Sequence, residues 1–357
     1  MVKDFSTSGV QVIVVGVGGG GCNTIKRLID YGTKGAKLLA VNTDRIHLNT
    51  VTAPARRVLI GANITKGLGA GGYPDIAMKA AESSRAEIKS ELEGADIVFL
   101  CAGMGGGTGT GASPVVADIA KHEGAIVVGI VTFPFKIEKA RLEKAFKGLE
   151  ELRKSSDTLV IIDNNRLLDF VPNLPIEQAF MVADEVTARA VRGISETLLQ
   201  PSLINLDFAD LRSVMSGGGV SMIAVGEGKG INKVDDVVKN TLDHKLLDVD
   251  PKGARGVLLH LTGGPDMTLG DANKIGEKLT DHVDPHAEVI WGARMDQEFG
   301  EKIEVIAIFT GLKEGPALLD QRAEKEWGVK SVKAERSSQS SGYSSPAPAP
   351  TRSIFGF

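Results

Sequence analysis

An apolar, β-branched stretch at 10–15 runs straight into Gly16-Val17-Gly18-Gly19-Gly20-Gly21, and a helical pattern resumes at Asn23. Strand, glycine turn and helix in that order let backbone N–H groups and a helix N-terminus approach a diphosphate, here through the Gly16, Gly18 and Gly21 of a G-x-G-x-x-G pattern. Glycine runs recur at 67–72 and 103–111, and glycine makes up 43 of the 357 residues, above the usual share of ~7%. Between the runs, short β-branched segments alternate with segments of helical period, as when crossover helices cover both faces of a parallel sheet. Strands are expected over 10–15, 38–41, 97–101, 125–131 and 159–162. Helices are expected over 23–30, 76–92, 114–122 and 138–153, the third with Pro114 in its first turn. Residues 10–174 thus read as a doubly wound α/β domain behind an N-terminal extension at 1–9.

Pro175 opens a segment in which Phe180, Ala183, Ala190, Ile194 and Leu198 recur at helical spacing, with no further proline until Pro201. A helix of about 25 residues would extend roughly 37 Å, long enough to cross a domain, so 175–204 reads as a central helix and connection. Strands at 221–226, 256–261, 288–291 and 302–309, with helices at 234–242 and 269–282, give a second, smaller α/β domain with a mixed sheet at 205–315. The remainder, 316–357, is a tail. From Ser331 it is dominated by Ser, Pro, Ala and Gly, too polar to offset the entropy of ordering, and it reads as a disordered, flexible linker. It closes on the apolar Ile354-Phe355-Gly356-Phe357.

Several function classes fall away. Lys and Arg number 41 against 45 Asp and Glu, a net charge of −4, which leaves no broad basic face for nucleic acid. Two cysteines, Cys22 and Cys101, make no disulfide framework, and residues 1–5 lack the apolar core of a signal peptide. The expectation is therefore a cytoplasmic protein. No window reaches the ~18 apolar residues needed to span a bilayer, so no direct membrane span is expected.

The first glycine run alone fits a nicotinamide dinucleotide as well as any other ligand, and Asp44 stands near the distance at which such sites place a ribose-binding acid. An NAD-dependent oxidoreductase is thus one alternative. The second run, Gly103-Met104-Gly105-Gly106-Gly107-Thr108-Gly109-Thr110-Gly111, favours a different reading. It follows another strand, interleaves two hydroxyls and carries no lysine, and so offers a second nest of N–H donors that a nicotinamide enzyme does not need. The third run can close over a terminal phosphate. G-x-x-x-x-G-K-[ST] is absent from the sequence, which points to a nucleoside triphosphatase outside the P-loop class.

The run 105–111, taken with 18–23 and with Asn205-Leu206-Asp207-Phe208-Ala209-Asp210, resembles the tubulin and FtsZ superfamily, and within it the FtsZ family of prokaryotic division GTPases. The resemblance covers about 10–311. It implies a GTP-binding domain, a central helix, an activation domain, head-to-tail protofilaments in a mid-cell ring, and an active site completed by the next subunit. It implies that GTP or GDP, with Mg²⁺, is cradled by Gly18, Gly19, Gly20, Gly21 and Asn23, by Gly69, Ala70, Gly71 and Gly72, and by Gly105, Gly106, Gly107, Thr108, Gly109, Thr110 and Gly111. Asn42 would lie near the phosphates. Pro134 opens the loop to Glu138, which matches the family's ribose-binding glutamate. The arginine that follows, Arg141, stands three positions on where the family has four. Asn164 and Arg166 fall at the ribose and base, Phe180 would stack on guanine, and Asp184 replaces the asparagine of many relatives. A carboxylate suits that place, since it accepts from both N1–H and the 2-amino group of guanine. Asp184 and the segment 136–141 resemble archaeal members. Asn205, Asp207 and Asp210 would be the catalytic residues, inserted into the neighbour's site, with the carboxylates positioning water. The apolar end of the tail would dock cytoplasmic or membrane-attached division proteins. A nucleotide-gated scaffold of the same superfamily with little turnover is a further alternative.

Plainer readings stand beside these. Asp207 or Asp210 can simply cap a helix at 211–215, and Phe180 can be a core aromatic. Pro285 denies His282 and His286 a helical metal-ligand pair, and no metal site is assigned. His260 reads as a satisfied core residue and Cys22 as a small buried thiol.

Overall fold

The computed structural model describes residues 9–33, 35–199, 203, 204, 208–215, 220–242, 251–281 and 283–312. Asn205, Asp207, His282 and the expected tail from 316 lie outside the described residues. Ten strands among those described form one sheet: β1 (Val12–Val17), β2 (Lys37–Asn42), β3 (Arg56–Leu59), β4 (Ile97–Gly103), β5 (Ile126–Phe133), β6 (Thr158–Asp163), β7 (Val220–Lys229), β8 (Gly256–Gly263), β9 (Glu288–Met295) and β10 (Lys302–Leu312). The helices are α1 (Gly18–Asp30), α2 (Arg45–Leu48), α3 (Ala62–Thr65), α4 (Pro74–Ser83), α5 (Arg85–Leu92), α6 (Thr108–His122), α7 (Lys139–Ser155), α8 (Asn165–Phe170), α9 (Ile176–Leu199), α10 (Phe208–Met215), α11 (Lys233–Leu242) and α12 (Leu269–Thr280). The strand order is β3-β2-β1-β4-β5-β6-β7-β10-β8-β9. Strands from β3 to β7 run parallel, β10 is antiparallel to both its neighbours, and β8 pairs parallel with β9.

The order 3-2-1-4-5-6 is doubly wound, with its topological switch between β1 and β4. Strand alternation explains why both faces must be covered: Ile13, Val15 and Val17 point into a core formed with α4 to α7, whereas Val12 and Val14 meet α1, α9 and α10 on the other side. A third core lies under α11 and α12 against β8 and β10. There α12 is started by a capping box, in which Asp271 N–H donates to Thr268 Oγ1 at 3.1 Å and Thr268 N–H to Asp271 Oδ2 at 3.0 Å. The two halves of the sheet join where β6 meets β7, through the pairs Leu159–Val220 and Val160–Ser221.

Some expectations are corrected. The helix expected to open at Pro114 begins at Thr108, so Pro114 lies inside α6 and costs it one backbone bond. Close packing, not helix propensity, decides this start. A Cβ on Gly109 would sit 2.3 Å from the Gly103 carbonyl oxygen, and one on Gly111 2.0 Å from that of Pro74. Likewise α1 begins within its glycines, where a Cβ on Gly21 would fall 2.3 Å from the Cys101 carbonyl oxygen. The single helix expected over 76–92 is broken at Ser84, whose Oγ accepts the Gly61 N–H at 3.0 Å. Asp210 does not precede a helix at 211–215 but lies in the first turn of α10. Strand β3, a short Arg56-Arg57-Val58-Leu59 edge, carries too little alternation to be read in advance.

Candidate functional site

At the carboxyl ends of β1 and β4, on either side of the switch, α1 and α6 start facing one cleft of about 860 Å³. Neither helix has a side-chain N-cap or an acid in its first turn. Their leading N–H groups and the positive ends of both dipoles are therefore available to an anion. Gly19, Gly20 and Asn23 line the cleft from α1, and Gly106 and Gly109 from the second run. A Cβ on Gly106 would meet nothing within 4 Å, and on Gly19 only the edge of His47 at 3.9 Å, so these two backbones face open space. Other glycines serve close packing. Gly18 adopts φ +72° with its Cβ direction 2.7 Å from Gly109 N, and Gly105 adopts φ +90° against Arg141.

Not every expected contact reaches the cleft. Thr110 Oγ1 is turned inward to accept the Gly105 N–H at 2.9 Å, and Thr108 Oγ1 bonds Thr43 Oγ1 at 2.7 Å, so both hydroxyls brace loops. Asn42 is buried behind the first run, its amide near Cys22 Sγ (3.7 Å) and His47 Nδ1 (3.4 Å) and its Oδ1 accepting the Asp44 N–H at 3.2 Å. The third run does not line the cleft but abuts the second: a Cβ on Gly107 would be 2.9 Å from Ala70 Cβ and 3.2 Å from Gly72 N. Arg166, the second residue of α8, and Asp210 of α10 are not among the lining residues. Asp44 Oδ1 caps α2 by accepting the His47 N–H at 3.0 Å, and Asp44 is absent from the cleft, which removes the ribose contact of the dinucleotide alternative.

The opposite wall holds Pro134, Phe135, Glu138, Arg141, Asn164, Phe180 and Asp184. Arg141 Nη1 donates to Glu138 Oε2 at 2.6 Å, and Glu138 Oε1 accepts the Phe135 N–H at 3.1 Å, so the arginine's shifted position still brings it to the glutamate. Asn164 Oδ1 is buried without a hydrogen-bond partner, an acceptor that a ligand can satisfy. Phe180 packs edge-on to Phe135 with centroids 5.7 Å apart, yet remains 40% exposed on the cleft side rather than sealed in a core. Burial pushes the Asp184 carboxyl up to about 6 against the opposing pull of Arg27 and Lys26. Lys26, Arg27 and Asp30 also line the cleft and were not anticipated. They follow Asn23 at three, four and seven positions on α1, a helical face that the sequence already carried.

Cys22 is fully buried and its thiol is pushed up to about 12 by that burial, an inert packing residue. His260 departs from the expectation of a fully satisfied core residue. Nε2 lies 3.0 Å from Thr262 Oγ1, but Nδ1 is buried without a partner, and burial together with Arg294 lowers the ring to about 4, leaving it neutral. No group of three or more His, Cys, Asp or Glu residues among those described has metal-site geometry, and no described helix is long and apolar enough to cross a membrane.

The model of the Tubulin/FtsZ family, GTPase domain, matches residues 11–172, and that of the FtsZ family, C-terminal domain, matches 219–313. Cell division protein FtsZ 2 of Methanocaldococcus jannaschii is 57% identical over 306 residues, spanning 85% of this chain and 80% of that protein. The chain belongs to the FtsZ family. FtsZ 1 of Archaeoglobus fulgidus is 50% identical over 310 residues, covering 87% of this chain and 84% of its own. Among solved structures, the FtsZ dimer of M. jannaschii superposes with a TM-score of 0.81 at 44% identity, over 86% of this chain and 89% of that one. The glycine-rich side of the cleft at the β1/β4 switch thus lies in an FtsZ-family GTPase domain, with α9 closing the other wall, and the mixed sheet beyond β6 is the family's C-terminal domain.

Proposed function

We propose that this chain is a GTP-binding, GTP-hydrolysing cytoskeletal protein of cell division that assembles head to tail into protofilaments. One observation carries the reading: two uncapped helix N-termini share a cleft with a stacking aromatic and a buried carboxylate, while the acid-bearing α10 lies elsewhere on the subunit. The open backbones of Gly19 and Gly106 and the unpartnered Asn164 Oδ1 fit a nucleotide. Phosphates lie on the glycine runs, the ribose near Glu138 and Arg141, and guanine against Phe180 and Asp184. No carboxylate cluster flanks the glycine runs among the described residues, so Mg²⁺ would be held mainly by phosphate oxygens and water. When bound it neutralises phosphate charge. Residues 10–174 hold the phosphates and ribose, 175–204 join the two domains and bring Phe180 and Asp184 to the guanine, and 205–315 activate the nucleotide on the neighbour. Asn205, Asp207 and Asp210 of one subunit reach the terminal phosphate held by the next, where the two acids orient water. Phosphoryl transfer asks chiefly for such positioning and electrostatics. The cell-division names of the relatives and the dimeric M. jannaschii structure support this reading.

Phosphate release measured across protein concentrations, with light scattering alongside, tests it. Release per subunit is expected to be negligible when dilute and to climb once scattering appears. Turnover per subunit independent of concentration would overturn catalysis between subunits, and filaments without turnover would mark the scaffold alternative.

The same reading places the protein in the cytoplasm at mid-cell, held by the apolar end of its tail. Fully burying one of Ile354, Phe355 or Phe357 is worth ~1.5–3 kcal/mol, weak for one peptide but sufficient when many copies are arrayed on a filament. Deleting 354–357 is expected to leave hydrolysis and assembly in vitro unchanged while releasing filaments from the membrane in cells. Unaltered membrane placement in fluorescence images of the truncated protein would refute the docking role.

A further inference from the structure

Helix α7 presents Arg141, Lys144 and Lys147 at successive turns, and they do different things. Arg141 and Lys147 pair with carboxylates of the same segment, Glu138 at 2.6 Å and Glu143 at 2.8 Å. Lys144 instead crosses to the third glycine run. Its Nζ donates to the Gly72 carbonyl oxygen at 2.7 Å and stands 5.5 Å from the centroid of the Tyr73 ring.

The segment it holds has little of its own to fix its path. Gly69, Gly71 and Gly72 have φ of +84°, +60° and +77°, and Ala70 supplies the one Cβ among them. Such a stretch has unusual backbone freedom. Its start is tied down by the Leu68 N–H to the Thr65 carbonyl and by the Gly67 carbonyl, which accepts the Arg45 N–H. From Gly69 to Tyr73 the backbone donates only from Gly69 to the Thr43 carbonyl at 3.1 Å and from Tyr73 to that of Ala70 at 3.0 Å. The N–H groups of Ala70, Gly71 and Gly72 donate to no acceptor among the described residues. The amide nitrogens of Gly72 and Tyr73 lie against Gly107, 3.2 and 3.1 Å from where a Cβ there would be, next to the cleft-lining Gly106. Lys144 draws the Gly72 carbonyl oxygen toward α7. Released, that carbonyl can turn its partial negative charge toward the space beside Gly106, where a terminal phosphate would be repelled.

We propose that Lys144 is a positioning residue for the third glycine run, and that through it the protein favours a nucleoside triphosphate over a diphosphate. The inference rests on the nucleotide reading above, with the terminal phosphate at the third run. Because α7 also carries Arg141 to the cleft wall, one helix face bears on the ribose and, through Lys144, on the third glycine run. A diphosphate, which stops short of the third run, would be indifferent to the lysine.

Calorimetric titration of the full chain with GTPγS and with GDP, both with Mg²⁺, tests this on wild type, Lys144→Met and Lys144→Arg. The methionine keeps the apolar stem and loses the donor, and the arginine keeps a donor. Lys144→Met is expected to weaken GTPγS by about five- to tenfold, as for the loss of one charged hydrogen bond acting through a loop, with GDP changed less than about twofold. Lys144→Arg is expected to recover most of the loss, with melting midpoints matched across the set. Equal weakening of both nucleotides, or an unchanged GTPγS affinity, would overturn the positioning role while leaving the nucleotide reading intact. Failure of wild type to bind either nucleotide would overturn that reading, and the inference with it.

Discussion

Replacing Asp210 by alanine is expected to leave nucleotide binding and filament assembly in place and to slow GTP hydrolysis by about 10²–10³-fold, the usual cost of removing a group that positions or polarises the reacting atoms. The separation of the phenotypes follows from placement. Asp210 sits in the first turn of α10 and does not line the cleft of its own subunit, so the pocket proposed to receive the nucleotide is untouched. A helix-starting role alone predicts something else: lower stability through a weaker first turn, worth ~0.3–1 kcal/mol, with turnover preserved. Mixing distinguishes them further. In Gly106→Glu the new side chain enters open space in the cleft, where its carboxylate is expected to repel the phosphates proposed to bind there while α10 stays intact. Mixed with Asp210→Ala, it supplies a wild-type α10 to a nucleotide-bearing neighbour, and hydrolysis is expected to recover above that of either variant alone. Wild-type turnover by Asp210→Ala on its own would rule out the composite site.

The second large effect belongs to Asp184. Its carboxylate, one helical turn after Phe180 on α9, lines the cleft beneath an aromatic that is free to stack. Asp184→Ala is expected to weaken GTP binding and its discrimination over ATP by ~1.5–3 kcal/mol, roughly ten- to 150-fold. A pH dependence accompanies it. Burial raises this acid to about 6, so the neutral form gains ground below that pH and the carboxylate is present above it. In the proposed site, guanine N1–H and the 2-amino group would donate to the carboxylate form. The GTP-to-ATP affinity ratio, in which titration of the phosphates cancels, is therefore expected to hold above pH 6. Below it, the ratio is expected to fall by about tenfold per unit. In Asp184→Ala the ratio should be low and flat over the same range. A competition titration that finds the ratio unchanged by the substitution would remove Asp184 from the site.

What could be read from sequence, and what could not, follows from the range of the forces involved. The doubly wound half was legible because its strands are fully buried apolar runs and its glycines fall at strand ends, both local signals. The edges of the helices were not. Glycine is a poor helix former, so Gly18–Gly21 and the run to Gly111 read as loops, and only the approach of Gly21 to Cys101 and of Gly111 to Pro74 shows why small residues were helical there. The break at Ser84 depends on a hydrogen bond from Gly61, 23 residues away, which no window of helical period can register. At the cleft, the residues facing open backbone and the Glu138–Arg141 pair lay within local motifs. The inward turn of Thr108 and Thr110 and the reach of Lys144 to Gly72 are tertiary. Lys26, Arg27 and Asp30 were local after all, and were missed because charged residues on a helix are ordinarily a solvated face.

Across the middle of the sheet, two residue pairs among the described residues carry the ladder from β6 to β7, with longer ladders on either side. Thr158 Oγ1 adds one hydrogen bond across that line, to the Met215 carbonyl at 2.8 Å, and an apolar core spans it as well, with Val160, Ile162, Val191, Ile194, Ile223 and Ile308 in one continuous cluster. Apolar contact is non-directional and tolerates small slippage in a way that a hydrogen-bond ladder does not. Alongside runs α9, 24 residues or roughly 36 Å of stiff rod. Seen as a mechanical part, the molecule is two broad stretches of hydrogen-bonded sheet meeting at a narrow seam beside a strut, and a load passed through it end to end is expected to meet its least resistance in twisting about that seam.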